Sequence, residues 1–217
     1  MEQSILTPSQ KKLISIIASE PKLAKFYLAG GTALSEYYLK HRFSEDLDFF
    51  SPDMPDTLFL QEFTQDIKKE FRADKVEFSK IHDRREFLFI IGTEELKVEF
   101  VWYQFKQLDK MIIRDGMRVD SFRDISANKL MAMIERFEPK DFVDLFFILQ
   151  KNKLEDIRKD AQTKFGIEIE DIFLGGELAK ARRIEALPRM ITPLSIEELK
   201  AFFTKIAKEL EPRVFGY

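Results

Sequence analysis

Two aspartates separated by one residue, Asp46 and Asp48, are the first feature of this chain that points to chemistry. Side chains two positions apart on a β-strand project from the same face. Two such carboxylates repel each other unless a cation lies between them. Hard divalent ions prefer oxygen ligands, and a pair of ions can hold the attacking and leaving oxygens of a phosphoryl transfer. The pair therefore predicts a divalent-metal site, with a solvated strand edge as the alternative.

A glycine motif, Gly30-Gly31-Thr32, follows the short apolar segment 26–29 and precedes a helical pattern. Glycine allows the backbone to approach a phosphate closely, and Thr32 offers a hydroxyl group. A plain turn is the alternative for either glycine alone. Gly-Gly-Thr shortly before an Asp-x-Asp strand is a rarer combination, which favours a phosphate-and-metal site. It fits a sugar-nucleotide glycosyltransferase poorly.

A third carboxylate is expected on a neighbouring strand, where it would bind metal or take the proton of an attacking hydroxyl. The candidates are Glu77, Glu86 and Glu99. Glu99 alternates with apolar residues that face a core, and Glu77 has a similar context. Spacing alone does not choose among the three.

The composition narrows the choice of metal and partners. The chain of 217 residues has no cysteine and only two histidines, His41 and His82, so an oxygen-bound Mg²⁺ or Mn²⁺ is favoured over zinc. A net charge of -3 gives no general attraction for nucleic acid, so RNA would need a local basic patch. The candidate patch, with a solvated helix face as its alternative, is Lys180, Arg182, Arg183 and Arg189. Without a long apolar run or a signal-peptide pattern, we expect a cytoplasmic protein with no membrane contact.

The elements that must position these residues change in character along the chain. Capping-box patterns begin a first helix at Thr7 and a last helix at Ser195. Strand patterns are at residues 26–29, 46–50, 75–81, 86–91 and 96–103. Helical patterns are at residues 57–71, 124–137, 141–150, 153–165 and 195–210. These patterns predict an α+β protein, with a mixed α/β core in residues 1–122 and a helical domain in residues 123–217 that completes the active site.

Three blocks of this sequence resemble the AbiEii/AbiGii toxin family, whose members are nucleotidyltransferase-like proteins of the DNA polymerase β superfold. The blocks are residues 28–34, 41–50 and 124–145. The resemblance implies a polymerase β-like mixed sheet with flanking helices, followed by a helical domain. It covers roughly residues 24–150, and the last third of the chain matches nothing recognisable.

The resemblance also implies roles for matching residues. The glycine motif, Gly30, Gly31 and Thr32, corresponds to the segment that lies against the nucleotide phosphates. The implied metal-binding and catalytic acids are Asp46, Asp48 and Glu99, although the family more often has Asp at the third position. Lys129 matches the lysine that contacts the triphosphate. Asp141 and Asp144 match a closing acidic motif, and Asp144 is the expected catalytic member.

Spacing in the helical half agrees in part with these roles. Lys129 and Arg136 lie on one helix face, so Arg136 could add a bidentate contact to a polyphosphate, with a solvated helix face as the alternative. Asp141 stands at a helix start, where an acid also complements the helix dipole. Asp144 lies among apolar residues, and we expect it to be partly buried against Lys129 or Arg136.

The function expected from these features is transfer of a nucleoside monophosphate from a nucleoside triphosphate to an acceptor, for which tRNA or another RNA is the candidate. The resemblance alone implies a growth-inhibiting toxin with a cognate antitoxin protein. The alternatives are a nucleotidyltransferase that modifies a small molecule or a protein, and a nucleotide-binding module that has lost catalysis. Intact Asp46, Asp48 and Lys129 argue against the module.

Overall fold

Seven strands form one mixed sheet in the computed structural model, which describes residues 4–210. They are β1 (Tyr27–Ala29), β2 (Asp46–Ser51), β3 (Lys75–Ile81), β4 (Arg84–Ile91), β5 (Glu94–Trp102), β6 (Ile112–Arg114) and β7 (Met117–Val119). Their order across the sheet is β3-β4-β5-β2-β1-β7-β6. Strand β2 pairs with β1 in the antiparallel direction and with β5 in the parallel direction. These pairings bring segments that are far apart in the sequence together at the centre of the sheet.

The central strand β2 has one apolar face and one polar face. In β2, Leu47 and Phe49 are fully buried, whereas Asp46 and Asp48 are partly exposed. Successive side chains of a strand point to opposite faces, so this alternation places both aspartates on the polar face. The apolar core of the sheet includes the buried residues Phe49, Phe87, Phe89 and Phe100.

Three helices accompany the sheet, namely α1 (Pro8–Ser19), α2 (Gly30–Leu34) and α3 (Thr57–Phe71). The predicted capping box is confirmed at α1, where the Thr7 hydroxyl accepts from the backbone of Gln10 and the Gln10 side chain accepts from the backbone of Thr7. The glycine motif is the start of α2 rather than a separate turn, and a single π-helical turn, Ser35–Leu39, continues from it.

Five further α-helices make up most of residues 122–210. They are α4 (Phe122–Glu135), α5 (Pro139–Leu149), α6 (Leu154–Phe165), α7 (Asp171–Ala179) and α8 (Ile196–Glu209). The capping box of Ser195 and Glu198 is confirmed at α8. The predicted α+β class, with a helical C-terminal region, is therefore confirmed. Within residues 4–210, no helix is both long enough and apolar enough to cross a membrane.

The chain divides into two compact units, each made of two chain segments. The first contains the residues up to 38 and residues 44–121, and the second contains residues 39–43 and the residues from 122 onward. The segment 39–43 thus belongs with the helices, although β2 begins only three residues after it. The predicted boundary near residue 122 therefore leaves out one feature, the grouping of residues 39–43 with the helical unit.

A fully buried ion pair joins α4 to α6 inside the second unit. Lys164 Nζ lies 2.7 Å from Asp124 Oδ1, and neither side chain is exposed. Lys164→Met is expected to lower the free energy of unfolding by about 3–5 kcal/mol, because the buried Asp124 carboxylate loses its contact with the Lys164 ammonium group. Urea unfolding followed by circular dichroism measures this change.

The matched control for this pair is Lys69→Met. Lys69 and Asp66 form an exposed ion pair along α3, and such pairs contribute little to stability. The unfolding midpoint of Lys69→Met is therefore expected to stay close to that of the unmodified protein. Equal midpoints for Lys164→Met and Lys69→Met would contradict the stabilising role of the buried pair.

Candidate active site

The carboxylate of Asp48 stands directly beside the glycine that follows β1. Ala29 pairs with Asp48 across the two strands, which places Gly30 next to Asp48. Gly30 has a φ of +68°, in the left-handed region that favours glycine. A Cβ at this position would lie 2.7 Å from Cγ of Asp48, and closer still to a carboxylate oxygen. The close approach of this carboxylate to the backbone therefore requires glycine at residue 30.

Thr32 attaches the glycine motif to the same strand. Its side chain is fully buried, and its hydroxyl donates to the backbone carbonyl of Asp46. Gly31 is buried as well. The hydroxyl hydrogen of Thr32 is thus engaged within the protein, and it could reach a phosphate only if this bond were broken. The structure therefore shows Thr32 bracing the motif against β2, and a phosphate contact stays a prediction.

The three candidates for the third carboxylate lie at increasing distance from β2 across the sheet. Glu99 is in register with Asp48 on the adjacent parallel strand β5. Glu86 is one strand further, opposite Glu99, and Glu77 is on the edge strand β3. Register thus places Glu99 nearest to the aspartates, a choice that spacing alone did not make.

Two cationic side chains hold the Glu99 carboxylate. One oxygen accepts from Arg84 Nη1 at 2.7 Å, and the other lies 3.0 Å from Lys97 Nζ. Burial alone would raise the pKa of Glu99, but the hydrogen bonds and charges of Lys97 and Arg84 outweigh it and lower the pKa below its usual value. Glu99 is therefore a weak base here, which argues against its taking a proton from an acceptor.

Two carboxylates on the polar face suit a divalent ion. Asp46 and Asp48 supply the carboxylate oxygens that such an ion prefers, on one face of one strand. Both carboxylate oxygens of Glu99 are already bonded, one to Arg84 and one to Lys97. Among residues 4–210, no three carboxylate, imidazole or thiol groups are arranged to hold a metal ion. The aspartate pair fits the ion by its chemistry, and Glu99 would fit only after release from Lys97 and Arg84.

The remaining predicted residues lie in the second unit, where Asp144 is the centre of a buried network. Asp144 Oδ1 lies 2.7 Å from His41 Nε2 and 2.6 Å from Arg42 Nε. Its Oδ2 lies 2.8 Å from Arg42 Nη2 and 2.6 Å from Lys129 Nζ. Burial alone would raise the pKa of Asp144, but Lys129 and Arg42 hold it well below its usual value. The expected contact with Lys129 is confirmed, and the burial is complete rather than partial.

Lys129 connects Asp144 to the second acid of the motif. Its Nζ lies 2.9 Å from Asp141 Oδ1, and Arg136 Nε lies 2.8 Å from the other oxygen of Asp141. Burial alone would lower the pKa of Lys129, but Asp144 and Asp141 raise it, so the ammonium group stays charged. Asp141 thus pairs with two cations, a stronger role than complementing a helix dipole.

The segment that carries His41 and Arg42 is held by residues 189–192. The His41 carbonyl accepts from the backbone of Ile191 at 2.9 Å, and the backbone of Phe43 donates to the carbonyl of Arg189 at 2.8 Å. The guanidinium of Arg189 lies 3.9 Å from the centre of the Phe43 ring. A short antiparallel pairing thus fixes residues 41–43 within the second unit.

Comparison with known proteins decides the family. Residues 13–215 match the family described as nucleotidyl transferase AbiEii toxin, type IV TA system. The chain belongs to the AbiEii family. It is therefore a nucleotidyltransferase of a toxin family, as the three sequence blocks predicted. An uncharacterized protein of Aquifex aeolicus (strain VF5) is 32% identical over 165 residues, which cover 74% of this chain and 76% of the relative.

Solved structures share the fold of this AbiEii protein. A putative nucleotidyltransferase from Helicobacter pylori has a TM-score of 0.57 at 21% identity, covering 94% of this chain and 93% of that one. MenT4, a nucleotidyltransferase toxin from Mycobacterium tuberculosis, has a TM-score of 0.59 at 15% identity, covering 93% and 81%. At these identities the likeness establishes a common architecture and no more.

Four polar side chains that contact the candidate residues of the two units were not predicted from the sequence. They are His41, Arg42, Arg84 and Lys97. Arg42 contacts a residue 102 positions away in the chain, and no local pattern marks such a partner. Lys97 could have been found, because it lies two residues before Glu99 and so shares its strand face.

Gly30→Ala tests the packing of Asp48 against the AbiEii glycine motif. A left-handed conformation costs an alanine about 1–2 kcal/mol, and the added Cβ would also displace the Asp48 carboxylate. We expect pyrophosphate release per folded molecule to fall by about 10-fold or more, by analogy with loss of a group that orients a metal ligand.

Gly176→Ala is the matched control, since a Cβ there meets no atom within 4 Å and Gly176 lies within α7. It is expected to keep full activity, because alanine is favoured over glycine in a helix. Activity of Gly30→Ala equal to that of Gly176→Ala would show that Asp48 does not need its observed position.

Proposed function

We propose that this chain transfers a nucleoside monophosphate from a nucleoside triphosphate to RNA, with tRNA as the first candidate, and that Mg²⁺ or Mn²⁺ is required. The acceptor hydroxyl oxygen bonds to the α-phosphorus, the bond from that phosphorus to the bridging oxygen breaks, and pyrophosphate leaves. The hydroxyl proton passes to water. As a member of a toxin family, the protein would inhibit growth until a cognate antitoxin opposes it.

One observation carries this proposal. Asp46 and Asp48 project from the same face of β2, and Asp48 packs against the side-chain-free backbone of Gly30. Membership of a nucleotidyltransferase family supplies the reaction class for this arrangement. The aspartates would hold the divalent ion, which neutralises phosphate charge when bound. The Gly30-Gly31 backbone would lie against the phosphates, as the family pattern implies.

In the second unit, Lys129 and Arg136 are the proposed contacts of the triphosphate. The Lys129 side chain is 8% exposed and is bonded to Asp141 and Asp144, so it would reach a phosphate only by loosening one of these contacts. The Arg136 side chain is 47% exposed and keeps part of its guanidinium at the surface. Asp144 is fully buried, and we propose that it acts by positioning Lys129 and Arg42 rather than by touching the substrate.

An RNA acceptor is supported by exposed arginines of the second unit. Arg182, Arg183 and Arg189 are exposed, and two of them lie over aromatic rings. Arg183 lies 4.6 Å from the centre of the Phe137 ring, and Arg189 lies over Phe43. A guanidinium held flat on a ring keeps donors free for bidentate contact with phosphate. These residues are the proposed contacts of the RNA backbone.

The deciding experiment incubates the protein with each α-labelled nucleoside triphosphate, Mg²⁺ and total cellular RNA. We expect the label to appear in RNA. The size of the labelled RNA then identifies the acceptor. Label in a small molecule or in the protein would replace the RNA acceptor with one of the alternatives. Nucleotide binding without pyrophosphate release under any of these conditions would leave only a binding module.

The toxin role is tested separately by induced expression in cells. Growth arrest is expected from the unmodified protein and from Glu77→Gln, which alters an exposed acid on the edge strand. Cells that express Asp48→Asn at the same level are expected to grow normally. Arrest that persists in Asp48→Asn would separate toxicity from catalysis.

A further inference from the structure

The Glu99 carboxylate is the most confined acid on the polar face of the sheet. Its side chain is 9% exposed, and its two oxygens are bonded to different cations, Arg84 and Lys97. It stands in register with Asp48, so it is the acid best placed to complete a set of three. Both oxygens are nevertheless used inside the protein. The third carboxylate is therefore present but occupied.

The two cations that occupy Glu99 are much more accessible than Glu99 itself. The side chain of Lys97 is 32% exposed and that of Arg84 is 48% exposed. Lys97 is shared with Glu86 at 2.9 Å and is in register with Asp46, so it lies between the aspartate pair and the outer acids. An anion arriving on this face meets the cations before it meets the Glu99 carboxylate.

Lys97 also has acidic neighbours on both sides. Its Nζ lies 2.9 Å from Glu86 Oε2 and 3.0 Å from Glu99 Oε1, and Lys97 pairs with Asp46 of the adjacent strand. A fixed positive charge beside the aspartates attracts a polyphosphate and repels a lone metal ion. Lys97 thus favours binding of the triphosphate and opposes binding of a metal ion alone.

We infer that Lys97 and Arg84 form a latch that keeps Glu99 from a divalent ion until a triphosphate is present. The triphosphate draws the two cations towards its own oxygens, and Glu99 then becomes available as the third carboxylate. Metal binding is therefore weak without nucleotide and strong with it. This inference rests on the proposed function and specifies the order in which its site is completed.

The test measures Mn²⁺ affinity by the electron paramagnetic resonance signal of the free ion, with the full chain. In the unmodified protein, Mn²⁺ affinity is expected to rise when a non-hydrolysable α,β-methylene triphosphate is added, after subtraction of the Mn²⁺ that the same concentration of analogue binds without protein. Lys97→Met and Arg84→Gln are each expected to tighten nucleotide-free Mn²⁺ binding by about 10-fold, as loss of one charge-assisted hydrogen bond to Glu99 predicts. Adding Glu99→Gln to Lys97→Met is expected to abolish that gain.

The matched control is Lys75→Met, which removes an exposed lysine paired with Glu77 on the edge strand. It is expected to leave Mn²⁺ affinity unchanged. Suppose that the unmodified protein binds Mn²⁺ in the presence of the analogue. The inference is then overturned if neither Lys97→Met nor Arg84→Gln tightens Mn²⁺ binding without nucleotide. Absence of Mn²⁺ binding in every variant, with and without the analogue, would overturn the proposed metal dependence as well.

Discussion

Asp46→Asn is expected to slow nucleotidyl transfer by about 100-fold or more, with little change in stability. Loss of a group that merely orients a metal ligand costs about 10- to 100-fold, and loss of a ligand itself costs at least as much. Asparagine keeps the size of the side chain and removes its negative charge. Because Asp46 is only partly buried, the fold should tolerate the change. Initial rates of pyrophosphate release at saturating Mg²⁺ measure the effect.

Glu45→Gln is the matched control for Asp46→Asn. Glu45 precedes Asp46, is exposed, and contributes its backbone carbonyl rather than its side chain to the contact with Gln10. Its rate is expected to equal that of the unmodified protein. A full rate in Asp46→Asn would remove the aspartate pair from the reaction and, with it, the proposed mechanism.

Asp144→Ala has the second large expected effect, in this case on stability. The change leaves Arg42 and Lys129 buried without the carboxylate that now accepts from both of them. Breaking a buried ion pair from one side costs about 3–5 kcal/mol, and we expect a loss of that size in urea unfolding. Asp156→Ala, at an exposed position of α6, is the control and should unfold near the usual midpoint.

The contribution of Asp144 should also depend on pH in a defined direction. Its pKa in the folded protein is held well below the unfolded value of about 3.9 by Lys129 and Arg42. A depressed carboxyl pKa stabilises the fold above the unfolded pKa and loses that effect as the pH falls towards the folded pKa. The stability gap between the unmodified protein and Asp144→Asn should be full at pH 7 and pH 5. It should shrink below about pH 4, and a gap that is constant down to pH 3 would contradict this.

Regular elements with strong local signals were predictable from the sequence. Helix α3 begins and ends at the predicted residues, since apolar spacing and Asp56 define it. The hairpin of β6 and β7 was missed, although Asp115-Gly116 between them, both with positive φ, is a strong turn signal. Helix α7 was missed because Gly175 and Gly176 lower its helical propensity.

The candidate site was predictable only where one strand or one motif carries it. The shared face of Asp46 and Asp48 follows from alternation, and the structure confirms it. The pairing of Asp48 with Glu99 required the register of two parallel strands, which spacing along the chain does not determine. The contacts of Asp144 with His41 and Arg42 required tertiary packing, because ion pairs across the whole chain leave no periodic signal.

Residues 39–43 belong to the helical unit, and this affects how fragments of the protein can be expressed. An expression fragment that starts at residue 122 would lack His41 and Arg42, leaving the Asp144 carboxylate with fewer donors. It would also lack the backbone partners of residues 189–192. Such a fragment should be recovered as an unfolded or aggregating polypeptide, and adding a synthetic peptide that contains residues 39–43 should restore its helical signal.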